Sequence, residues 1–178
     1  MQDQRKKVST LSFGDVAEVR PDVSEIIARE VVNTFLKELF NETDRSAVII
    51  AASYFEQVLL KRILLRLEAG NDQARKNLTA MNGALSTFSA RIDLAFCLAE
   101  LDQLAWEDMH SLRRIRNFCA HNWEGFRLNG KVETLHLAKL HRYLNLHGVP
   151  LVEYAPRTQF NLFAASYALS LNYGIKPS

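Results

Sequence analysis

Proline and glycine are scarce, four and seven in 178 residues. They fall between stretches of helical period, where they punctuate and do not interrupt. Cysteine is scarcer still. Cys97 and Cys119 both sit among apolar neighbours, where a free thiol behaves as a small core hydrophobe. Two thiols cannot make a zinc site without histidine. His110, His136, His141 and His147 stand at no metal-ligand spacing with cysteine or acid. No metal and no cofactor is therefore expected. No apolar run approaches the ~20 residues that a membrane span requires, and no apolar segment follows the Met1–Lys7 start as it would in a secretory signal. The expected setting is cytoplasmic and reducing. An excess of one charge is also missing: 22 basic and 20 acidic residues leave +2, too even to argue for nucleic acid on bulk charge. The sequence has no glycine-rich phosphate loop, serine nucleophile elbow or convincing Cys–His pair. It shows no internal repeat, and its long apolar helices do not suit a helix-turn-helix reader of DNA.

What is present is helix. Apolar residues at 48% and charged residues at 24% suit one globular core, and the length suits one domain. Residues 1–20 carry no sustained period and are expected to form a flexible arm, with a helical domain over 21–178. Pro21-Asp22 opens a helix to about Phe40, with Val23, Ile26, Ile27, Val31, Phe35, Leu36 and Leu39 at spacings of three and four. The stretch Asp44–Glu68 is apolar on more than one side and should be central. A polar connection with a short helix fills 72–85. Further helices are expected over Ala90–Leu101, from Glu107-Asp108 to His121, over Val132–Leu146 and over Phe160–Leu171, with Tyr154–Arg157 extended or turn-like. The fold class is all-α, a bundle of five to seven helices.

Three segments carry candidate chemistry. In Arg113–Asn122, Ile115, Phe118 and Cys119 anchor the helix to the core. Arg113, Asn117 and His121 follow at intervals of four and share a side. Arg116 lies roughly 140° around the axis from His121 at 100° per residue, so the two converge only if the helix ends or bends there. Arginine presents a planar fork to phosphate oxygens, histidine moves protons near neutral pH, and RNA brings its own 2′-hydroxyl nucleophile. Arg116, Asn117 and His121 are thus candidate catalytic residues for metal-free phosphodiester chemistry. A structural reading stands beside it, in which Arg116 pairs with a carboxylate such as Asp44 or Glu56 and His121 bonds main chain at the helix end. In the second segment, Asp44, Arg45, Ser53 and Glu56 lie on the apolar central helix, where an unpaired carboxylate is costly. Either acid can bridge helices through arginine, or support Arg116 and His121. In the third, Ser86-Thr87-Phe88-Ser89 caps a helix and Arg91 sits in its first turn, the wrong end for a cation. It wants an acid or an anionic ligand.

These residues carry a resemblance. Thr43-Asp44-Arg45-Ser46 with Ala51–Glu56, Leu85–Ile92 with Leu94-Ala95-Phe96, and Ile115–His121 resemble the mannitol-repressor family in order and spacing, over about residues 25–145. Ala84 stands where that family often has proline, and Phe55-Glu56 where it usually has Leu-Asp. The resemblance implies an all-helical regulator of sugar-alcohol operons that acts through protein partners. Arg116-x-x-x-x-His121 is also similar to the HEPN superfamily of helical bundles. That likeness implies a homodimer with the motifs at its interface and, in some members, a metal-free endoribonuclease. Two readings therefore stand: a regulator with a protein partner, and a ribonuclease of the toxin or defence-effector kind, with an antitoxin as protein partner, acting on RNA through Arg116 and His121. Asp44, Arg45, Glu56, Arg91 and Arg113 are supporting residues in both. At least one acid–arginine pair among Asp44, Glu56, Arg91 and Arg116 is expected to bridge different helices.

Overall fold

Thr43 starts the helix around which the others assemble. Its hydroxyl accepts from the Ser46 amide at 3.3 Å, satisfying one of the orphan donors of the first turn. The computed structural model describes residues 23–67, 72–122, 124–128 and 154–173. Six helices lie within them: α1 (Val23–Asn41), α2 (Asp44–Arg66), α3 (Asp72–Thr79), α4 (Phe88–Cys97), α5 (Gln103–His121) and α6 (Pro156–Tyr173). No strand occurs among the described residues, and the fold is all-α. The arm expected over 1–20 and the helix expected over Val132–Leu146 lie outside the described residues.

Helix α2 is central, as its breadth of apolar surface implied. It packs against α1, α4, α5 and α6, while α6 also lies on α1 and α4 on α5. Its buried row is Ala47, Val48, Ala51, Ala52, Phe55, Leu59 and Ile63. The alanines let neighbouring backbones approach; the Phe55 ring sits edge-on to Phe35, Phe163 and Tyr167. Burial is not all round, however. Ile49, Ser53 and Leu65 face solvent, so Ser53 needs no buried partner.

Several boundaries differ from expectation for identifiable reasons. Helix α5 begins at Gln103 because Asp102 accepts from the Ala105 amide at 2.7 Å, an N-cap. Asp108, read as a first-turn acid, instead lies fully buried a turn and a half inside, where its Oδ2 accepts from the Tyr167 hydroxyl at 2.8 Å. Helix α6 begins at Pro156, so Pro156 and Arg157 are helical and not extended; proline suits the first position because no amide is needed there. Cys119 is buried as expected, but Cys97, the last residue of α4, is exposed. Gly83 closes the turn after α3. A Cβ there would stand 2.2 Å from the Asn77 carbonyl oxygen, so only glycine fits without moving main chain.

Candidate functional site

Helix α5 sends Arg113, Arg116 and Asn117 toward the start of α4. Ile115 and Cys119 are fully buried against the core, which fixes the helix azimuth and turns these polar residues sideways. Thr87 caps α4, accepting from the Ala90 amide at 3.2 Å. The two helices enclose a polar cavity of about 300 Å3 lined by Glu56, Ser86, Thr87, Phe88, Ser89, Arg113, Arg116 and Asn117.

Glu56 lies where three helices meet. Its Oε2 is 3.5 Å from Arg116 Nη2 and its Oε1 is 3.4 Å from Arg91 Nη1. The acid–arginine bridge expected between helices is therefore present twice over. Arg91 is held further by its Nε donating to the Leu85 carbonyl at 2.7 Å and its Nη1 to the Glu56 carbonyl at 3.3 Å. The wrong-end cation of α4 thus serves as a tie between α2 and the chain that enters α4. Arg116 is held less firmly. Besides Glu56 it reaches Asn117 Oδ1 at 3.4 Å, and a third of its side chain is exposed. Arg113 Nε is buried without a hydrogen-bond partner among the described residues.

The other supporting residues serve elsewhere. Asp44 does not meet Arg116 or His121. Its Oδ1 pairs with Arg157 Nη1 at 3.1 Å and its Oδ2 accepts from the Leu128 amide at 3.1 Å, so it joins α2 to α6 and to the chain after α5. Arg45 Nη1 donates to the Cys119 carbonyl at 2.5 Å and its Nη2 to the Asn122 carbonyl. These are the orphan carbonyls at the end of α5, and a cation suits that end of the dipole. Helix α5 does end at His121, with Asn122 as cap. Because it ends after His121 and not before, the ring keeps its helical azimuth. His121 is exposed and is not among the residues that line the cavity.

Sequence reasoning found Glu56, Arg113, Arg116 and Asn117 but read Ser86, Thr87 and Ser89 only as caps. Their second use depends on α5 crossing that helix end, which no local signal announces. Nearby, Asp93 Oδ1 accepts from Trp106 Nε1 and meets His110 Nε2, both at 2.9 Å. Burial pushes its carboxyl upward, but these hydrogen bonds and the charges of His110 and Arg113 outweigh that and hold it below its ordinary value. Among the described residues no group of three or more histidine, cysteine, aspartate or glutamate side chains is arranged to hold a metal.

An all-helical bundle with an arginine-lined polar pocket, and with no helix among the described residues long and apolar enough to cross a membrane, is the class these features define. No family model matches the chain, and no curated protein matches it in sequence. Among solved structures, a chain of the MtlR–HPr complex from Escherichia coli is similar, with a TM-score of 0.63 and 18% identity over 80% of this chain and 99% of that one. At that identity the likeness is one of fold, and the fold is MtlR-like.

Proposed function

We propose that this chain is a regulator of the MtlR type, controlling expression of a sugar-alcohol operon by binding a protein and not by reading DNA. The observation that carries the proposal is the fold likeness, over most of both chains, to a protein solved in complex with HPr. One residue from each of the three sequence stretches that resemble the mannitol-repressor family, Glu56, Arg91 and Arg116, meets in one ion-pair cluster, which supports the reading. In this proposal the chain works in the cytoplasm, as a homodimer, and takes HPr or a similar protein as partner. Arg116, Asn117 and Arg113 then recognise a ligand or partner and transfer no protons. The ribonuclease alternative has less support, because His121 would have to supply acid–base chemistry from outside the pocket that holds Arg116 and Asn117.

Isothermal titration of purified chain with HPr from the same organism tests the proposal. A saturable complex with Kd of about micromolar or tighter is expected, together with derepression of a sugar-alcohol reporter when the chain is deleted. Absence of binding, combined with RNA cleavage in EDTA that Arg116→Ala and His121→Ala both abolish, would replace the regulator with the ribonuclease.

A further inference from the structure

We infer that the pocket between the N-terminus of α4 and the middle of α5 binds the phosphoryl group of a small molecule. The inference goes beyond the regulatory reading and would stand if HPr failed to bind.

The argument starts with charge. Arg113 and Arg116 line the cavity at the amino end of α4, where the helix itself presents partial positive charge, and Arg91 stands on the far side of Glu56 from Arg116. Two carboxylates answer them, and both are shared. Glu56 divides its oxygens between Arg91 and Arg116 at 3.4 and 3.5 Å. Asp93, near Arg113, is already hydrogen-bonded to Trp106 and His110. The local balance is therefore positive at a place where positive charge is unfavourable unless an anion completes it.

Geometry agrees. Thr87 satisfies the Ala90 amide, which leaves the first amides of α4, at Phe88 and Ser89, with no helical carbonyl within reach. Ser86, Thr87, Ser89 and Asn117 line the same space. Donors thus come from the helix end on one wall and from guanidiniums on the other, an arrangement suited to tetrahedral oxygens approached from several sides. Arg116 is loosely held, and Arg113 keeps a buried Nε without a hydrogen-bond partner among the described residues. A cavity of about 300 Å3 accommodates a compact phosphorylated metabolite. A polyanion fits poorly, because the Glu56 carboxylate lines the same cavity and the formal net charge of the chain is only +2.

The test uses full-length protein and thermal melts, with titration calorimetry for affinity. Inorganic phosphate and glucose 6-phosphate should each raise the melting temperature saturably, while glucose and sodium chloride at matched ionic strength should not. Tighter binding of glucose 6-phosphate identifies an ester as the ligand type; equal or tighter binding of phosphate identifies the free anion. Arg113→Gln should weaken binding at least tenfold. Ser89→Asp guards against misfolding: an acid in the first turn of α4 suits the dipole, so this variant should melt at or above the wild-type temperature, yet lose the phosphate response. The inference is overturned if neither phosphate compound binds saturably, or if Ser89→Asp binds phosphate as the wild type does.

Discussion

Glu56 stands 3.5 Å from Arg116 and so joins α2 to α5, with its second oxygen 3.4 Å from Arg91 on α4. The carboxylate is one-fifth exposed and Arg91 less than that, whereas Arg116 is about one-third exposed. Removing the acid leaves two guanidiniums without their shared counter-charge. Glu56→Ala should therefore destabilise the fold by about 1–3 kcal/mol. In urea melts arranged as double-mutant cycles, coupling to Arg91 should exceed coupling to Arg116, because solvent screens the more exposed pair. Zero coupling to both would refute the bridge.

A second carboxylate gives a pH dependence. Glu100, just beyond α4, is nearly buried; it accepts from Arg62 Nε at 2.6 Å and is bound by Arg66 as well. Burial pushes its carboxyl upward, but the Arg66 hydrogen bond and the Arg62 charge outweigh that and hold it below its ordinary value. The folded chain then binds fewer protons than the unfolded chain across the interval between the two values, so stability rises with pH there. Its contribution is complete above the ordinary carboxylate range, ~4.3, and is lost as pH falls through the lowered folded value. The stability gap between wild type and Glu100→Gln should be flat from about pH 6 to 8 and shrink below about pH 4. A gap that widens on acidification would contradict this sign.

How far the sequence reaches can be judged from particular residues. Thr87 was legible as a cap because capping is local: an oxygen three residues before its amide. The central position of α2 was legible because Val48 and Leu59 lie on one side of the helix and Ile50 and Tyr54 on the other, so one neighbour cannot cover them all. The partners of Asp44 were not, since Arg157 is 113 positions away. Asp108 failed for the same reason. Its burial depends on a tyrosine 59 positions later, while locally it resembles any first-turn acid. For the pocket, the spacing of Arg113 and Asn117 showed a shared side. Which helix end they would face is a matter of tertiary packing.

Helix α6 is part of the core, not an appendage. Phe160, Phe163, Ala164, Tyr167 and Ala168 are buried, and Arg157 donates to the Leu39 carbonyl at 2.6 Å as well as pairing with Asp44. Phe163, fully buried against Phe55 and Tyr167, is expected to cost about 3–5 kcal/mol when truncated to alanine. Arg157→Ala should cost about 3 kcal/mol or less, because its salt bridge is partly exposed. Equilibrium denaturation measures both. A Phe163→Ala loss below about 1 kcal/mol would mean that α6 is not docked.

His121 separates the functional readings most directly. It is the last residue of α5 and exposed, and the helix end around it is secured by other groups: Arg45 on the Cys119 and Asn122 carbonyls, and Asn122 Nδ2 on the Phe118 carbonyl at 2.8 Å. His121→Ala should therefore change stability by no more than about 0.5 kcal/mol. Arg45→Ala should cost about 1–3 kcal/mol, since it strips donors from carbonyls that the helix cannot satisfy itself. With the fold intact, His121→Ala becomes a clean probe of function. A regulator that recognises partner or ligand through Arg113, Arg116 and Asn117 should keep HPr binding and phosphate binding within about twofold in this variant, a difference of less than ~0.5 kcal/mol. Under that reading the wild type and the variant should both leave RNA intact. If wild type cleaves RNA in EDTA and His121→Ala does not, the exposed imidazole is catalytic and the regulatory reading fails.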